Sequence, residues 1–196
     1  MAGMTSLCLV DDALFTASRD ADNALICWSL GSEQEVPGKL LQSGHTAGIS
    51  ALCGNKDRIF SGGLKGQLRE WLLTEQTTGR VFEGHFQEIT SLAILGDTLF
   101  SGSRDATIRH WSLSTGKAVR TMSGHLSVVR DIAVDQTSFL SGSADGTVRL
   151  WDANTGQCTA VLLSQLGDSA VTGLTVSSTR QLFTACVDGT VRQFAL

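Results

Sequence analysis

The 196-residue sequence has few of the residues and segments that form linkers between domains. It contains one proline, and no stretch of it is rich in proline and serine or in charges of one sign. Such stretches are typical of linkers, so no domain boundary is indicated. Its 21 glycines favour many tight turns, and its 42% hydrophobic residues suffice for a buried core. We therefore expect a single domain.

The sequence also lacks the segments that direct a chain to a membrane or to nucleic acid. No run approaches the roughly 18 apolar residues of a membrane span. The N-terminal sequence MAGMTSLCLVDD has no basic region before an apolar core, so we expect no signal peptide. The formal net charge is −4 and no basic cluster is present, which argues against nucleic acid as the main ligand.

The cysteines form no Cys-x-x-Cys pair, and this removes the ligand spacing of a zinc or thioredoxin-like site. Their number is odd and most lie within apolar runs, so we interpret them as small core residues in a reducing compartment. They are Cys8, Cys27, Cys53, Cys158 and Cys186. This predicts a cytoplasmic protein, with the nucleus as the alternative, and we expect no cofactor and no metal.

What the sequence does contain is an internal repeat. An aromatic residue recurs at intervals of 43, 40, 40 and 43 residues, at Trp28, Trp71, Trp111, Trp151 and Phe194. Gly-His pairs recur every 40 residues, with histidines at His45, His85 and His125. A fixed period of this length indicates an array of similar structural units.

The clearest unit runs from Gly124 to Asp152. Its apolar runs are rich in β-branched residues and predict antiparallel strands, at Val128–Val134, Ser138–Ser143 and Thr147–Trp151, with a fourth at Cys158–Leu163. Between the second and third runs, Asp145-Gly146 predicts a two-residue hairpin turn, in which both residues need positive φ. Each unit is therefore predicted to be one small sheet.

This period, with its Gly-His and Trp-Asp marks, resembles the WD-repeat family of β-propellers over nearly all of the chain. The resemblance implies an all-β fold, a single WD-repeat array of five four-stranded blades of which the last lacks its outer strand. The blades would span approximately 4–42, 43–82, 83–122, 123–164 and 165–196. It also implies a buried network of His, Ser/Thr, Asp and Trp in each blade. The matching residues are His85, Ser101, Asp105 and Trp111, then His125, Ser141, Asp145 and Trp151, and, without the aspartate, His45, Ser61 and Trp71.

Such a network has a structural explanation. A buried imidazole between a carboxylate and a hydroxyl, closed by an indole N–H, satisfies polar groups that burial would otherwise strand. Repetition of the same side chains in several blades disfavours a catalytic role, and histidines on different blades do not converge as metal ligands do. We expect blade two to fray or to reroute its turn through Gly62, Gly63 and Gly66, because Lys65 cannot accept a hydrogen bond from the histidine.

The first and last blades depart further from the pattern. In blade one, Asp20 lies eight residues before Trp28, where Asp105 lies six before Trp111, so we expect a distorted network there. The last blade has Asp168 in place of the histidine and Phe194 in place of the indole.

The ends of the chain leave three alternatives. In the family, an N-terminal segment usually supplies the outer strand of the last blade, but here only Met1–Met4 precede the first predicted strand and the chain stops at Leu196. The alternatives are an incomplete propeller, a propeller completed by another chain, and a five-bladed ring. Open sheet faces and edges favour association.

The resemblance implies a non-catalytic scaffold that binds partner proteins or peptides on the top face of the propeller. The positions that line this face in the family correspond here to Arg19, Arg104, Arg130, Glu88, Thr5, Ser50, Thr90 and Thr172. Three arginines favour an acidic or phosphorylated peptide, since guanidinium groups bind carboxylate and phosphate through paired hydrogen bonds. Solvated charges on separate loops are the alternative.

The sequence leaves two alternative functions. A ubiquitin-ligase substrate receptor is a narrower alternative, but such family members often carry Trp-Asp-x-Arg, whereas Trp151-Asp152 is followed by Ala153-Asn154. A propeller enzyme is the alternative of another class. It is disfavoured because no acid pair or cysteine-histidine pair stands outside the repeat positions.

Overall fold

The computed structural model describes residues 3–19, 24–30, 38–41, 44–73, 77–162 and 169–196. All regular structure in these residues is β-strand. The strands form five antiparallel sheets, four with four strands and the last with three. None of these residues belongs to a helix that could span a membrane.

Within each sheet, strands that follow one another in sequence are neighbours. Sheet 1 contains β1 (Met4–Val10), β2 (Ala13–Ser18), β3 (Leu25–Ser29) and β4 (Lys39–Leu41). Sheet 2 contains β5 (Ile49–Asn55), β6 (Arg58–Gly63), β7 (Leu68–Leu72) and β8 (Thr77–Phe82). Sheet 3 contains β9 (Ile89–Leu95), β10 (Thr98–Ser103), β11 (Ile108–Ser112) and β12 (Ala118–Met122). Sheet 4 contains β13 (Val129–Asp135), β14 (Ser138–Ser143), β15 (Val148–Asp152) and β16 (Cys158–Leu162). Sheet 5 contains β17 (Val171–Val176), β18 (Gln181–Cys186) and β19 (Val191–Ala195).

The position of a strand in its sheet decides how deeply it is buried. The second strand, as in β14, is buried along nearly its whole length, because both of its faces are covered. The fourth strand, as in β16, alternates between half-buried and exposed residues, which is the pattern of a strand with one face in water. We call the first strand of each sheet its inner strand.

The chain divides into two compact units, Met1–Leu92 and Ala93–Leu196. In the first unit, one face of sheet 1 packs on sheet 2, and the buried cluster includes Val10, Phe15, Leu25, Leu52 and Trp71. In the second unit, sheet 3 packs on sheet 4 through Phe100, Ile108, Ile132, Phe139 and Trp151. Sheet 4 packs on sheet 5 through Leu140, Val148, Val171, Leu182 and Cys186. The chain therefore repeats the sheet itself and also the apolar packing between one sheet and the next.

The turn between β14 and β15 differs from the sequence prediction. Gly146 has a φ of 79°, whereas Asp145 is not among the residues with positive φ. Ser143 N–H donates to the Thr147 carbonyl at 3.1 Å, so the loop has three residues and ends on a left-handed glycine. The Asp145 carboxylate accepts from the backbone N–H of Thr147 at 2.9 Å and from its hydroxyl at 2.6 Å. This side-chain turn, and not a left-handed aspartate, closes the loop.

The same three-residue turn recurs in other sheets with different residues at its last position. Gly66 and Gly189 have φ values of 77° and 80°. In sheet 3 the position is Ala106, with a φ of 64°. A non-glycine residue in this region is strained, because Cβ approaches its own carbonyl oxygen.

Candidate functional site

The polar network predicted for the fourth repeat forms a continuous chain of hydrogen bonds in sheet 4. The indole N–H of Trp151 donates to Ser141 Oγ at 2.8 Å. Ser141 Oγ lies 2.7 Å from His125 Nε2, and His125 Nδ1 lies 3.0 Å from Asp145 Oδ2. One set of protons satisfies every contact: Ser141 donates to Nε2, and Nδ1–H donates to the carboxylate. Asp145 also accepts from the backbone N–H of Leu126 at 2.8 Å.

Burial and hydrogen bonding fix the charge states in this network. Burial lowers the pKa of His125, and its hydrogen bond to Asp145 offsets only part of that effect, so the imidazole is neutral near pH 7. Burial alone would raise the pKa of Asp145, but hydrogen bonds from Thr147, Leu126 and His125 outweigh it and lower that pKa to about 2. The carboxylate is therefore charged and the histidine holds one proton.

The order Ser141–His125–Asp145 is that of a catalytic triad, but its surroundings are not. A nucleophilic serine needs an oxygen that a substrate can reach. Ser141 is 0% exposed, and its oxygen already accepts from the Trp151 indole. The trio therefore holds the sheet together and presents no nucleophile.

Sheet 3 carries the same side chains. The Trp111 indole donates to Ser101 Oγ at 2.8 Å, and Asp105 Oδ1 accepts from the N–H and the hydroxyl of Thr107 at 3.0 and 2.6 Å. His85, which lies in the first unit, is 7% exposed. The buried positions of these residues match those of their counterparts in sheet 4.

In sheet 2 the network forms without an aspartate. His45 Nε2 lies 2.8 Å from Ser61 Oγ, which accepts from the Trp71 indole at 2.9 Å. The expected fraying or rerouting is wrong: Gly62 pairs with Leu68, and Gly63 N–H donates to the Gln67 carbonyl at 2.8 Å, as Ser143 N–H does to Thr147 in sheet 4. The turn forms because its closing bonds are made by the backbone.

The charge state of His45 in sheet 2 is set by burial and by a neighbouring arginine. Burial, followed by the positive charge of Arg69, lowers the pKa of His45 to about 4, and the contact with Ser61 offsets only part of this. The residue at position 65 could not supply the anion that Asp145 supplies in sheet 4. His45 is consequently neutral over a wider pH range than an ordinary histidine.

The first and last sheets retain part of the network. In sheet 1, the Trp28 indole donates to Thr16 Oγ1 at 2.9 Å, while Asp20 lies outside the described residues. In sheet 5, Phe194 has no N–H to donate, and Thr184 is 0% exposed. Its hydroxyl has no hydrogen-bond partner among the described residues, and Asp168 is not one of these.

The predicted partner-binding hydroxyls lie on the inner strands. Thr5 Oγ1 donates to the Ile49 carbonyl of sheet 2 at 2.7 Å. Ser50 Oγ makes the equivalent bond to the Ile89 carbonyl at 2.6 Å. Thr172 Oγ1 is bonded to a carbonyl of its own sheet, that of Ala185, at 3.1 Å. Thr90 is half-buried. The hydroxyls of Thr5 and Ser50 therefore join neighbouring sheets.

Backbone N–H groups on the inner strands are satisfied in a similar way. Leu52 N–H donates to Ser6 Oγ of sheet 1 at 3.0 Å. Leu174 N–H donates to Asp131 Oδ2 of sheet 4 at 2.8 Å. A side chain of the preceding sheet thus covers an edge donor that would otherwise need water or another strand.

The arginines predicted to bind a ligand fall into two groups. Arg19 is in an ion pair with Glu88, with Nη2 and Oε2 2.9 Å apart. Glu88 is 8% exposed, so the guanidinium neutralises a buried carboxylate. Arg104 and Arg130 are both exposed, one in the turn after β10 and the other at the start of β13. We call this end of the sheets, where inner strands begin and second strands end, the loop side.

Sequence reasoning missed a buried carboxylate at Glu70. It is 2% exposed, and its oxygens lie 2.9 Å from Arg58 Nη1 and 3.9 Å from Arg80 Nε. The backbone N–H of Arg80 also donates to it at 3.2 Å. Other repeats place Cys27, Leu150 or Gln193 at this register, so an acidic residue at a core position was the available signal. Glu70 fastens three strands of sheet 2.

The cysteines and acidic groups form no evident metal centre. Among the described ranges, no group of three or more His, Cys, Asp or Glu side chains could hold a metal ion. All five cysteines are unpaired thiols. Burial raises the pKa of Cys8 and raises that of Cys53 well above its usual range, with a further contribution from Cys8, so both thiols stay protonated.

Comparison with known proteins identifies the family. The sequence model described as "WD domain, G-beta repeat" (WD40) matches residues 76–112, 116–152 and 156–194, which together exceed half of the chain. The chain belongs to the WD40 family. Each WD40 match begins before the fourth strand of one sheet and ends at the third strand of the next, so the sequence repeat and the blade are out of phase by one strand. The predicted family and the all-β fold with a three-stranded last blade are confirmed.

Among solved structures, this WD40 chain is similar to the computationally designed Ika8 protein, known from a crystal structure. The TM-score is 0.85 with 28% sequence identity, and the match covers 98% of this chain and 58% of that chain. The chain thus spans less than two thirds of the length of Ika8. Comparison with curated proteins gave no match. WD40 repeats generally form protein-interaction scaffolds, and the fold is typically non-catalytic.

Proposed function

We propose that this WD40 protein is a non-catalytic scaffold that binds partner proteins, and that its loop side takes an acidic or phosphorylated peptide. The observation that carries the proposal is the burial of the repeated polar side chains. Ser141, Ser101 and Ser61 are each 0% exposed and accept from a tryptophan of the same sheet. These residues are occupied in holding the blades together, which leaves the surface for contact with other macromolecules.

Arg104 and Arg130 are the residues to which we assign the peptide. Sheets 3 and 4 pack together in the second unit, and a side chain at Gly102 would meet Val129 Cγ1 at 2.7 Å. Arg104 lies two positions after Gly102, and Arg130 lies one position after Val129. They therefore lie on adjacent sheets at the same end, where two guanidinium groups can share one anionic ligand.

Arg19 has a different role in this proposal. Its ion pair with Glu88 largely cancels its charge, so we assign it to positioning the loop side in the first unit and not to direct ligand binding. Removing Arg19 would take this ion pair away from the buried Glu88 carboxylate.

We place the protein in the cytoplasm, with the nucleus as the alternative, and the five free thiols support a reducing compartment. The net charge of −4 supports protein partners over nucleic acid.

An array of synthetic peptides tests the ligand class. Each acidic or phosphorylated peptide is paired with its amide or unphosphorylated counterpart, and the wild-type chain should retain mainly the charged members. A charge-assisted hydrogen bond contributes about 1.5–3 kcal/mol, so each arginine should account for roughly ten- to a hundredfold in affinity. The double substitution Arg104→Ala with Arg130→Ala should remove the charged-peptide signal.

The matched control removes two positive charges elsewhere. Lys56 and Lys117 are exposed in turns at the opposite end of their sheets, so replacing both by alanine should leave binding unchanged. Unchanged binding by the double arginine variant would overturn the peptide site. Recovery of stoichiometric protein partners by the wild type in affinity purification, without substrate turnover, tests the scaffold separately.

A further inference from the structure

Sheet 1 exposes a face that is covered in the other sheets. Leu7 shares this face with Thr16 and Trp28, and is 62% exposed. Its counterparts by strand register are Leu52 and Ile132, which are 8% and 6% exposed. Each of those residues packs against the preceding sheet, Leu52 against sheet 1 and Ile132 against sheet 3. We call this face, with the exposed Leu7, the half-buried Trp28 and the buried Thr16, the network face of sheet 1.

Sheet 5 exposes the complementary kind of face. Val191 is 71% exposed, whereas its counterparts Leu25, Ile108 and Val148 are 0%, 1% and 1% exposed. Those three residues are buried because the following sheet covers them. Val191 shares its face with Phe183 and Ala185. We call these three residues the covering face of sheet 5.

An inner-strand hydroxyl gives independent evidence that sheet 5 is half of a contact. Thr5 and Ser50 each lie 3.2 Å from a carbonyl of their own sheet and closer, at 2.7 and 2.6 Å, to a carbonyl of the next sheet. Thr172 makes only the first of these bonds, to Ala185, among the described residues. Its side chain is exposed, so the donor is in place, but no strand of the described ranges accepts a second hydrogen bond from it.

We infer that two copies of the chain associate head to tail, with the covering face of sheet 5 in one copy packed on the network face of sheet 1 in the other. Val191 of one copy would then bury Leu7 of the second, as Leu25 packs in the cluster that buries Leu52. Thr172 would donate to the Met4 carbonyl, which occupies the register of Ile49. The occupant is a second copy because the chain carries both halves of the contact that it repeats between its own sheets. This association is independent of the loop side and of its peptide.

A head-to-tail contact leaves one network face and one covering face free in every dimer, so it continues to larger assemblies or closes into a ring. Sedimentation velocity of the 196-residue chain should therefore show association that increases with concentration. Leu7→Asp and Val191→Asp each place a charge at the centre of one face, and each variant alone should sediment as a monomer.

The decisive measurement mixes the two variants. The Leu7→Asp chain keeps an intact covering face and the Val191→Asp chain keeps an intact network face, so the mixture should form a 1:1 dimer that grows no further. Leu126→Asp is the control, because Leu126 is 90% exposed in the loop before β13, on neither face, and it should associate like the wild type. Circular dichroism melting curves verify that each variant is folded.

Three results would overturn the inference. The wild type could be a monomer at every concentration, either because its own network face and covering face pack on each other or because these faces bind a different polypeptide. Folded Leu7→Asp and Val191→Asp chains could fail to form a dimer when mixed. The Leu126→Asp control could lose association to the same extent as the face variants.

Discussion

The network in sheet 4 predicts that the buried hydroxyl of Ser141 contributes far more to the free energy of unfolding than its counterpart in sheet 5, the hydroxyl of Thr184. We consider Ser141→Ala, with Thr184→Val as the matched change. Ser141 Oγ accepts from the Trp151 indole and contacts His125 Nε2. Thr184 occupies the same register and is equally buried, but its hydroxyl has no partner among the described residues.

The expected magnitudes follow from what each change leaves behind. Removing the Ser141 hydroxyl strands an indole N–H and an imidazole nitrogen on side chains that are 2% and 7% exposed. A buried polar group without its partner costs about 1–3 kcal/mol, so the two together should lower the free energy of unfolding by roughly 2–5 kcal/mol. Thr184→Val keeps the shape and removes a hydroxyl that has no partner among the described residues, so it should be neutral or stabilising by about 1 kcal/mol.

Urea denaturation followed by circular dichroism measures both effects as a shift in the midpoint at constant slope. The urea midpoint of Ser141→Ala should be distinctly lower than that of the wild type. The midpoint of Thr184→Val should equal the wild-type value or exceed it. Equal losses in the two variants would refute the reasoning, because hydrogen bonding would then not distinguish the two positions. A loss confined to Thr184→Val would refute it equally.

Three further predictions use the same denaturation assay. Ala106→Gly should stabilise the chain by about 1 kcal/mol, because it relieves the left-handed strain, and no gain would contradict the strained turn. Gly66→Ala should destabilise more than Gly189→Ala, since both have positive φ but only at Gly66 would the new Cβ clash with a backbone atom, the His85 carbonyl oxygen; equal costs would argue against that contact. The pKa of His45 is lowered to about 4, so the unfolded chain takes up the proton first as pH falls. The contribution of His45 to the free energy of unfolding should be fully present above about pH 6.5 and decline towards pH 4 by up to about 3 kcal/mol. The variant His45→Gln should reduce this decline. If the decline persists in that variant, His45 is not its source.

The strands were predictable because their signals are local. Alternating β-branched and apolar residues between turn residues predicted Ser138–Ser143, which is the observed β14, and Val128–Val134, which the structure places one residue later. The Trp period predicted which residues are equivalent, and Trp71, Trp111 and Trp151 each donate to the serine at the matching position of their sheet. The turn at Asp145 was located correctly, but its type was not, because the aspartate side chain replaces a backbone conformation in closing the loop.

The contacts between sheets were not predictable from local pattern. Arg19 and Glu88 are separated by 69 residues, and Thr5 and Ile49 by 44. Nothing near Thr5 in the sequence distinguishes a hydroxyl that binds a partner from one that donates to the next sheet. The repeat predicted that these positions are equivalent, but only the packed sheets show what the equivalent positions contact.

The side-chain acceptors at Ser6 and Asp131 have a consequence for amide hydrogen exchange. The N–H groups of Leu52 and Leu174 point away from their own sheets and are held by the preceding ones. Their deuterium uptake consequently reports whether two adjacent blades stay docked, while the amides of β14 report whether a blade is folded. In this WD40 chain, hydrogen exchange at these two sets of amides can therefore distinguish the undocking of a blade from its unfolding.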